Sequence, residues 1–294
     1  MVVSRVTGGL GNQLFQYAVG RRIALANGTT LSLDISSYQI SPHRFRLDSF
    51  AIEAEVLPLR SPETAPVLKG NSLPARVVRR AIKEFRQRFV KSGQRMVKEQ
   101  DTRFDPSVLS LPGNVCLDGY WQSEKYFADI ADRLRPEFAI VREPDEANRR
   151  MQEAIHGCES VSLHIRRGDY VSNPLYNKVH GLCPMEYYRT AIDEIARDVP
   201  EPRFFVFSDD IEWAKENLRI GYPTTYVDIN GPEQDYEDLR LMSLCKHHII
   251  ANSTFSWWGA WLAQHPGKIV YAPARWGNDP ALNHPDRVPA TWQR

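Results

Sequence analysis

"VSLHIRRGDYV", residues 161–171, places apolar side chains at 161, 163 and 165, then Arg166 and Arg167 side by side, then Gly168 and Asp169. The alternation reads as a strand, and two guanidiniums at its end need an anion. A guanidinium stays charged at any working pH and grips phosphate bidentately. Each charge-assisted hydrogen bond it makes is worth about 1.5–3 kcal/mol. Gly168 lets a ligand approach the backbone closely. The competing readings are two solvated arginines, or one arginine paired with Asp169.

Downstream of this strand the pattern alternates. "PMEYYRTAIDEIARDV" (184–199) has helical spacing with Pro184 in its first turn, and "RFFVFS" (203–208) is a strand. The helix "DIEWAKENL" (210–218), the strand "TTYVD" (224–228) and the helix "EQDYEDLRLMSLCK" (233–246) follow. The strand "HHIIAN" (247–252), the helix "FSWWGAWLAQ" (255–264) and the strand "KIVYAP" (268–273) close the series. Strands alternating with helices make a parallel α/β sheet of about five strands.

The N-terminal end starts the same way. "MVVSRV" is a strand, "TGGLGN" a turn, and "NQLFQYAVGRRIALAN" a helix with Leu14, Tyr17, Ala18 and Leu25 on one face. Asn27-Gly28 ends it and "TTLSLDI" resumes an extended pattern. Prolines at 42, 58, 62, 66 and 74 interrupt any periodicity from about 40, and "NVCLDGY" and "SEKYFADIADRLR" are the strand-like and helical runs beyond 100. With 294 residues the chain suits two domains. The polar stretch "REPDEANRR" sets their boundary near 150, giving domains 1–150 and 151–294.

Composition narrows the function. Lys+Arg 37 against Asp+Glu 36 leaves a net charge of +1, without the basic excess of a nucleic-acid binder. Four scattered cysteines with no CxxC argue for reduced thiols rather than a disulfide framework or a zinc site. No apolar run long enough for a signal or a membrane span is read, so the expectation is a cytoplasmic protein.

In open parallel sheets ligands bind beyond the carboxyl ends of the strands. His164, Arg166, Arg167, Gly168 and Asp169 fall there after the first strand of the second half. Asp209 and Asp210 follow the next, Asp228 and Asn230 the third, and Asn252, Ser253 and Thr254 the fourth. Ser253 and Thr254 stand where a helix N-cap belongs, which is either plain capping or half of an anion site. Trp257, Trp258 and Trp261 read as core rather than as a stacking surface. In "FSDD", Asp209 suits the helix cap, leaving Asp210 to accept from a nucleobase; a metal between phosphates is the other use of such a pair. Gly8, Gly9 and Gly11 form a loose relative of G-x-G-x-x-G lacking its third glycine, with Asn12 and Gln13 offering neutral hydrogen bonds to sugar hydroxyls.

Together, "GGLGNQLFQYA", "HIRRGDYV", "RFFVFSDD" and "DLRLMSLCKHHIIANSTFSWWGAWL" resemble the bacterial α-1,2-fucosyltransferases of glycosyltransferase family 11. The blocks cover about a quarter of the chain, in the family's order, from residue 8 to 263. The resemblance implies a GT-B-like pair of Rossmann-type α/β domains. The N-terminal one takes the acceptor and the C-terminal one takes GDP-fucose. It implies inverting transfer of L-fucose from GDP-β-L-fucose to O2 of a β-galactoside, in an oligosaccharide or lipid-linked glycan, with no cofactor and no divalent metal. It assigns Arg166 to the phosphates with Arg167 in support, His164 and Asp210 to guanine, and Ser253 and Thr254, beside Asn252, near the phosphates. Gly9, Gly11 and Asn12 face the sugar. Asp169 and His164 are candidates for the acceptor's base, and departure of GDP alone could also drive the step.

Other classes fit less well. Arg167-Gly168-Asp169 spells an adhesion tripeptide, but at the end of a buried strand. No GxxxxGK[ST] or complete GxGxxG supports a kinase or dehydrogenase. A fucosyltransferase of another linkage and a non-catalytic nucleotide-sugar-binding module stay open. "PARVVRRAIKEFRQRFVK" (74–91) is basic and amphipathic, suiting either peripheral contact with anionic membrane or a core-packed helix with a solvated basic face.

Overall fold

The computed structural model describes residues 1–39, 41–57 and 93–294. The segment 74–91 lies outside the described residues. The chain forms two compact units, Met1–Ala139 and Ile140–Arg294. That division falls before residue 150, because the polar "REPDEANRR" is a helix start rather than a linker. Asp145 caps the helix Glu146–His156, accepting from Asn148 N at 2.9 Å.

The first unit contains β1 (Val2–Arg5), α1 (Leu10–Ala26), β2 (Leu31–Asp34), β3 (Glu55–Leu57), β4 (Arg95–Lys98), β5 (Val115–Asp118) and α2 (Ala131–Glu137). Its sheet order is β3-β2-β1-β5-β4, with every pairing parallel. The start is the expected βαβ unit. However, α1 is buried nearly all round rather than on one stripe, and Leu25 is exposed. The helical pattern at 123–135 breaks into two 3-10 turns before α2.

The second unit contains α3 (Glu146–His156), β6 (Glu159–Ile165), α4 (Gly168–Ser172), α5 (Pro174–His180), α6 (Met185–Asp198) and β7 (Pro202–Ser208). It continues with α7 (Ile211–Asn217), β8 (Thr224–Tyr226), α8 (Asp235–Leu244), β9 (His247–Ile249), α9 (Thr254–Leu262) and β10 (Val270–Tyr271). The five-stranded sheet runs β10-β9-β6-β7-β8, all parallel. Its two faces are both covered, as parallel sheets require. Val161, Leu163, Ile165, Phe204 and Val206 pack with Tyr188, Ile192 and Ile195 of α6 on one face. Phe205 and Phe207 pack with Ile155 of α3 and Leu241 and Met242 of α8 on the other.

The polar positions of β6 are buried too. Ser162 lies opposite His248 in register, and its Oγ is 2.7 Å from His248 Nδ1. Buried polar groups are tolerated when they are paired. Trp257, Trp258 and Trp261 are core residues, packed on one another and on Trp292. The four cysteines are free thiols.

Candidate functional site

In the second unit, β7 and β8 extend the sheet from one side of β6, and β9 and β10 from the other. The strand order therefore reverses between β6 and β9. The crevice outside the carboxyl ends of such a pair is where doubly wound sheets hold ligands. Arg166 and Arg167 follow β6 directly, and Ser253 and Thr254 follow β9 at the start of α9. The two elements singled out in the sequence thus meet at the switch point.

The arginines already have counter-ions. Arg166 Nη2 is 2.6 Å from Asp169 Oδ1, and Arg166 Nη1 is 2.9 Å from Asp209 Oδ2. Arg167 N donates to Asp209 Oδ1 at 2.8 Å, and Arg167 Nε to Asp210 Oδ2 at 3.2 Å. Aromatic faces complete the packing: the Arg167 guanidinium lies 3.7 Å from the Trp213 ring centroid, and that of Arg166 lies 5.4 Å from Tyr170. Burial pulls the Arg166 pKa down, and Asp209 and Asp169 more than restore it. Arg166 is therefore held charged, and both guanidiniums are oriented, in the manner of a preformed anion clamp.

Gly168 is where close approach matters, and the approaching group is the protein's own. A Cβ there would lie 2.4 Å from Asp209 Oδ2. The capping assignment is corrected: the N-cap of α7 is Asp210, whose carboxylate accepts from Trp213 N at 3.3 Å. Asp209, the expected cap, instead bridges Arg166 to the Arg167 amide.

Ser253 is the N-cap of α9, its Oγ accepting from Phe255 N at 3.3 Å. Asn252 is buried and faces the connecting loops. Its Nδ2 donates to His180 O and Trp276 O, both at 3.1 Å, and its Oδ1 accepts from Cys183 Sγ at 3.4 Å. This amide holds the loop after α5 in place.

His164 is buried beside Phe255, with ring centroids 5.8 Å apart, and its Nδ1 has no hydrogen-bond partner. Burial, with Arg166 adding to it, lowers its pKa to about 3. A ring kept neutral this firmly is a poor general base but a good neutral hydrogen-bonding group. Tyr170 stacks flat on His180 at 4.8 Å, a contact the sequence did not suggest.

One further carboxyl was not anticipated. Burial raises the Asp238 pKa to about 7, against a hydrogen bond from Asn230 Nδ2 at 2.8 Å. Among the described residues no cluster of His, Cys, Asp or Glu could hold a metal ion. No described helix is long and apolar enough to cross a membrane.

In the first unit, Gly9 is the uncapped N-cap of α1, with Gly11 and Asn12 in the helix's first turn. Gln13, expected to meet sugar hydroxyls, is buried. Its Nε2 donates to Gly8 O at 3.0 Å and Arg44 O at 2.7 Å, and its Oε1 accepts from Arg46 N at 2.9 Å. Asn12 Oδ1 accepts from Gln122 Nε2 at 2.6 Å.

The model of glycosyl transferase family 11 matches residues 1–293. An alpha-1,2-colitosyltransferase of Escherichia coli is 38% identical over 298 residues, covering 100% of this chain and 98% of its own. The O-antigen biosynthesis glycosyltransferase WbnK of the same organism is 34% identical over 292 residues, covering 93% and 94%. A galactoside alpha-(1,2)-fucosyltransferase 1 of Ateles belzebuth is 28% identical over 163 residues, 53% of this chain and 44% of its own. Among solved structures, a variant of Arabidopsis thaliana FUT1 in complex with GDP superposes with TM-score 0.52 at 13% identity, covering 98% of this chain and 74% of its own. That likeness bears on the fold alone, and with the two parallel five-stranded sheets it marks the chain as α/β and GT-B-like.

Proposed function

Because the chain belongs to glycosyl transferase family 11, we propose that it moves L-fucose from GDP-β-L-fucose to O2 of a terminal β-galactoside, forming an α-1,2 linkage with inversion. The observation that carries this is the oriented arginine pair at the β6–β9 switch point, beside the N-terminus of α9. In this reading the GDP pyrophosphate binds Arg166, supported by Arg167, with Ser253 and Thr254 at the opposite wall. As the bond from C1 of fucose to the phosphate oxygen breaks, negative charge grows on GDP. A fixed guanidinium and a helix N-terminus stabilise charge that develops there without reorganising. The galactose oxygen attacks the opposite face of C1, forming the new C1–O bond as the bond to phosphate breaks, and its proton passes to solvent, the step being driven by departure of GDP.

His164, neutral and carrying an unpartnered Nδ1, suits the guanine edge better than proton transfer. Asp210 is the second base-binding candidate. Asp169 holds Arg166 at 2.6 Å, so it first of all orients the guanidinium. In this reading no divalent cation takes part in the reaction. A cytoplasmic setting fits this donor. The acceptor is a galactose-containing oligosaccharide or lipid-linked glycan.

The test is GDP release from GDP-fucose with lactose and other galactosides. Arg166→Ala should reduce turnover at least ~100-fold, while the loss of its two ion pairs lowers stability by no more than about 2 kcal/mol and the chain still unfolds cooperatively. Retention of even a tenth of the activity would remove Arg166 from this role. EDTA should leave the rate unchanged. A second reading, transfer of a colitosyl group, is favoured by the name of the 38%-identical relative. Offering GDP-fucose and GDP-colitose side by side decides between the donors.

A further inference from the structure

The Arg166 guanidinium meets its two carboxylates along one edge, Asp169 at Nη2 and Asp209 at Nη1. These contacts fix how the planar group turns within its own plane. They leave its tilt open, because the plane can still swing about the line joining the two nitrogens. Tyr170 supplies a contact to the face. The guanidinium carbon lies over the Tyr170 ring, 5.4 Å from its centroid, within the reach of cation–π attraction.

Tyr170 is itself braced from three sides. His180 lies flat against the ring, with centroids 4.8 Å apart and planes 7° from parallel. The Tyr170 hydroxyl donates to Asn252 O at 3.4 Å, and Asn252 Nδ2 donates in turn to His180 O at 3.1 Å. Tyr170, Asn252 and His180 therefore close a loop of contacts. Asn177 Nδ2 donates to Tyr170 O at 2.8 Å, which bonds α4 to α5. Asn252 directly precedes Ser253, the N-cap of α9. One side chain thus runs from the arginine after β6 to the backbone after β9. Burial pushes the Tyr170 phenol up to about 12, with Arg166 opposing the rise, so the hydroxyl keeps its proton near neutral pH and can donate.

We propose that Tyr170 is a positioning residue of the phosphate clamp: its ring sets the tilt of the Arg166 guanidinium and so aims the remaining N–H groups at the pyrophosphate. A guanidinium carries five N–H donors, and the two ion pairs leave donors over for a phosphate. A tilt of the plane would spoil the bidentate geometry that makes arginine effective there. The hydroxyl bond to Asn252 is long, so the ring carries most of the effect and the hydroxyl little. Free GDP bears the charge that the leaving group acquires, so its affinity reads the clamp without turnover. The inference rests on the reading of Arg166 as the pyrophosphate ligand and adds a residue that acts through it.

The experiment is calorimetric titration with GDP, joined to steady-state kinetics, on the unaltered chain, Tyr170→Leu and Tyr170→Phe. Tyr170→Leu should weaken GDP binding and lower kcat roughly tenfold each, the worth of a partly desolvated cation–π contact. Tyr170→Phe keeps the ring and should stay within about threefold, the worth of the hydroxyl bond it gives up. In an Arg166→Ala background Tyr170→Leu should change GDP affinity by less than about twofold, because nothing is left to orient. An equal loss in both backgrounds marks a merely structural tyrosine and overturns the proposal. So does a Tyr170→Phe variant that falls as far as Tyr170→Leu. Arg166→Ala impaired beside an unimpaired Tyr170→Leu sinks this inference alone, whereas an unimpaired Arg166→Ala sinks the donor reading beneath it. Thermal unfolding is recorded for each variant. Should Tyr170→Leu not fold, His180→Leu, which removes the brace and leaves the ring, takes its place. GDP binding should weaken there too, and an unchanged affinity overturns the proposal.

Discussion

Arg166 meets two carboxylates, Asp169 at 2.6 Å and Asp209 at 2.9 Å, and the difference between them decides what Asp169 does. Asp209 also accepts the Arg167 amide and rests against Gly168, so it is structural by position. If Asp169 likewise only orients Arg166, removing either charge loosens the same guanidinium by a similar amount. The side chains are about a quarter to a third exposed, so each pair is worth only about 1 kcal/mol after solvent screening. Asp169→Asn and Asp209→Asn should therefore each lower kcat roughly fivefold, with similar pH–rate profiles. A general base contributes about 10²–10⁴-fold. A loss on that scale for Asp169→Asn alone, with the acid limb of the profile abolished, would falsify the orienting role. Arg166→Lys makes a complementary test. A compact ammonium cannot span two carboxylates and a phosphate as a planar fork does, so the variant should keep its stability and lose most of its turnover.

At the scale of elements, α9 decides how rigid the wall opposite the arginines is. Its tryptophans are core residues, and Gly259 lets it pack closely on α8: a Cβ there would lie 2.9 Å from Met242 Cβ. Both atoms sit on helical backbone, so neither yields easily. Gly259→Ala should destabilise by about 1–3 kcal/mol through overpacking, offset in part by the better helix propensity of alanine. Differential scanning calorimetry should show the lower-temperature shift, and an unchanged or raised transition would show that the two helices can separate at no cost. This sheet and its helices were largely legible in the sequence. Each strand of the second unit alternates with a helix whose periodicity is clear, and the arginines fall at a strand end. What stayed hidden depends on three-dimensional phase. Adjacent acids at 209 and 210 look alike until the twist of β7 decides which one reaches the α7 amides. α4 and α5 were missed because they are short and carry exposed apolar side chains such as Leu175, so no amphipathic stripe marks them. Trp121 could not be foreseen either, since nothing in "DGYWQ" tells that a tryptophan, rather than the glycine two residues before it, takes the positive φ.

For the whole molecule, the net charge of +1 gives little pH dependence by itself, and the buried titratable groups set it instead. His164 and His248 are both held below their ordinary pKa, chiefly by burial, with Arg166 adding to the first and Lys268 to the second. His180 and His247 move the same way, again mainly through burial. A group whose folded pKa is depressed takes up its proton sooner in the unfolded chain. Unfolding then binds protons as the pH drops below about 6.5, and stability is lost with acidification down to the folded pKa. Asp238 acts in the opposite sense. Burial raises it to about 7, so between about 4 and 7 the folded chain holds a proton that the unfolded chain releases, and stability falls as pH rises. Each fully titrating group changes stability by about 1.4 kcal/mol per pH unit. Two fully buried histidines against one carboxyl leave a net loss on the acid side, while the carboxyl flattens the curve near neutrality. Urea unfolding at pH 7 and pH 5 should show the chain less stable at pH 5. Asp238→Asn keeps the Asn230 hydrogen bond through its carbonyl and removes the opposing term, so it should steepen the acid loss and raise stability at pH 8. A variant whose stability relative to the unaltered chain is the same at pH 5 and pH 8 would mean that Asp238 is ionised in the folded protein throughout.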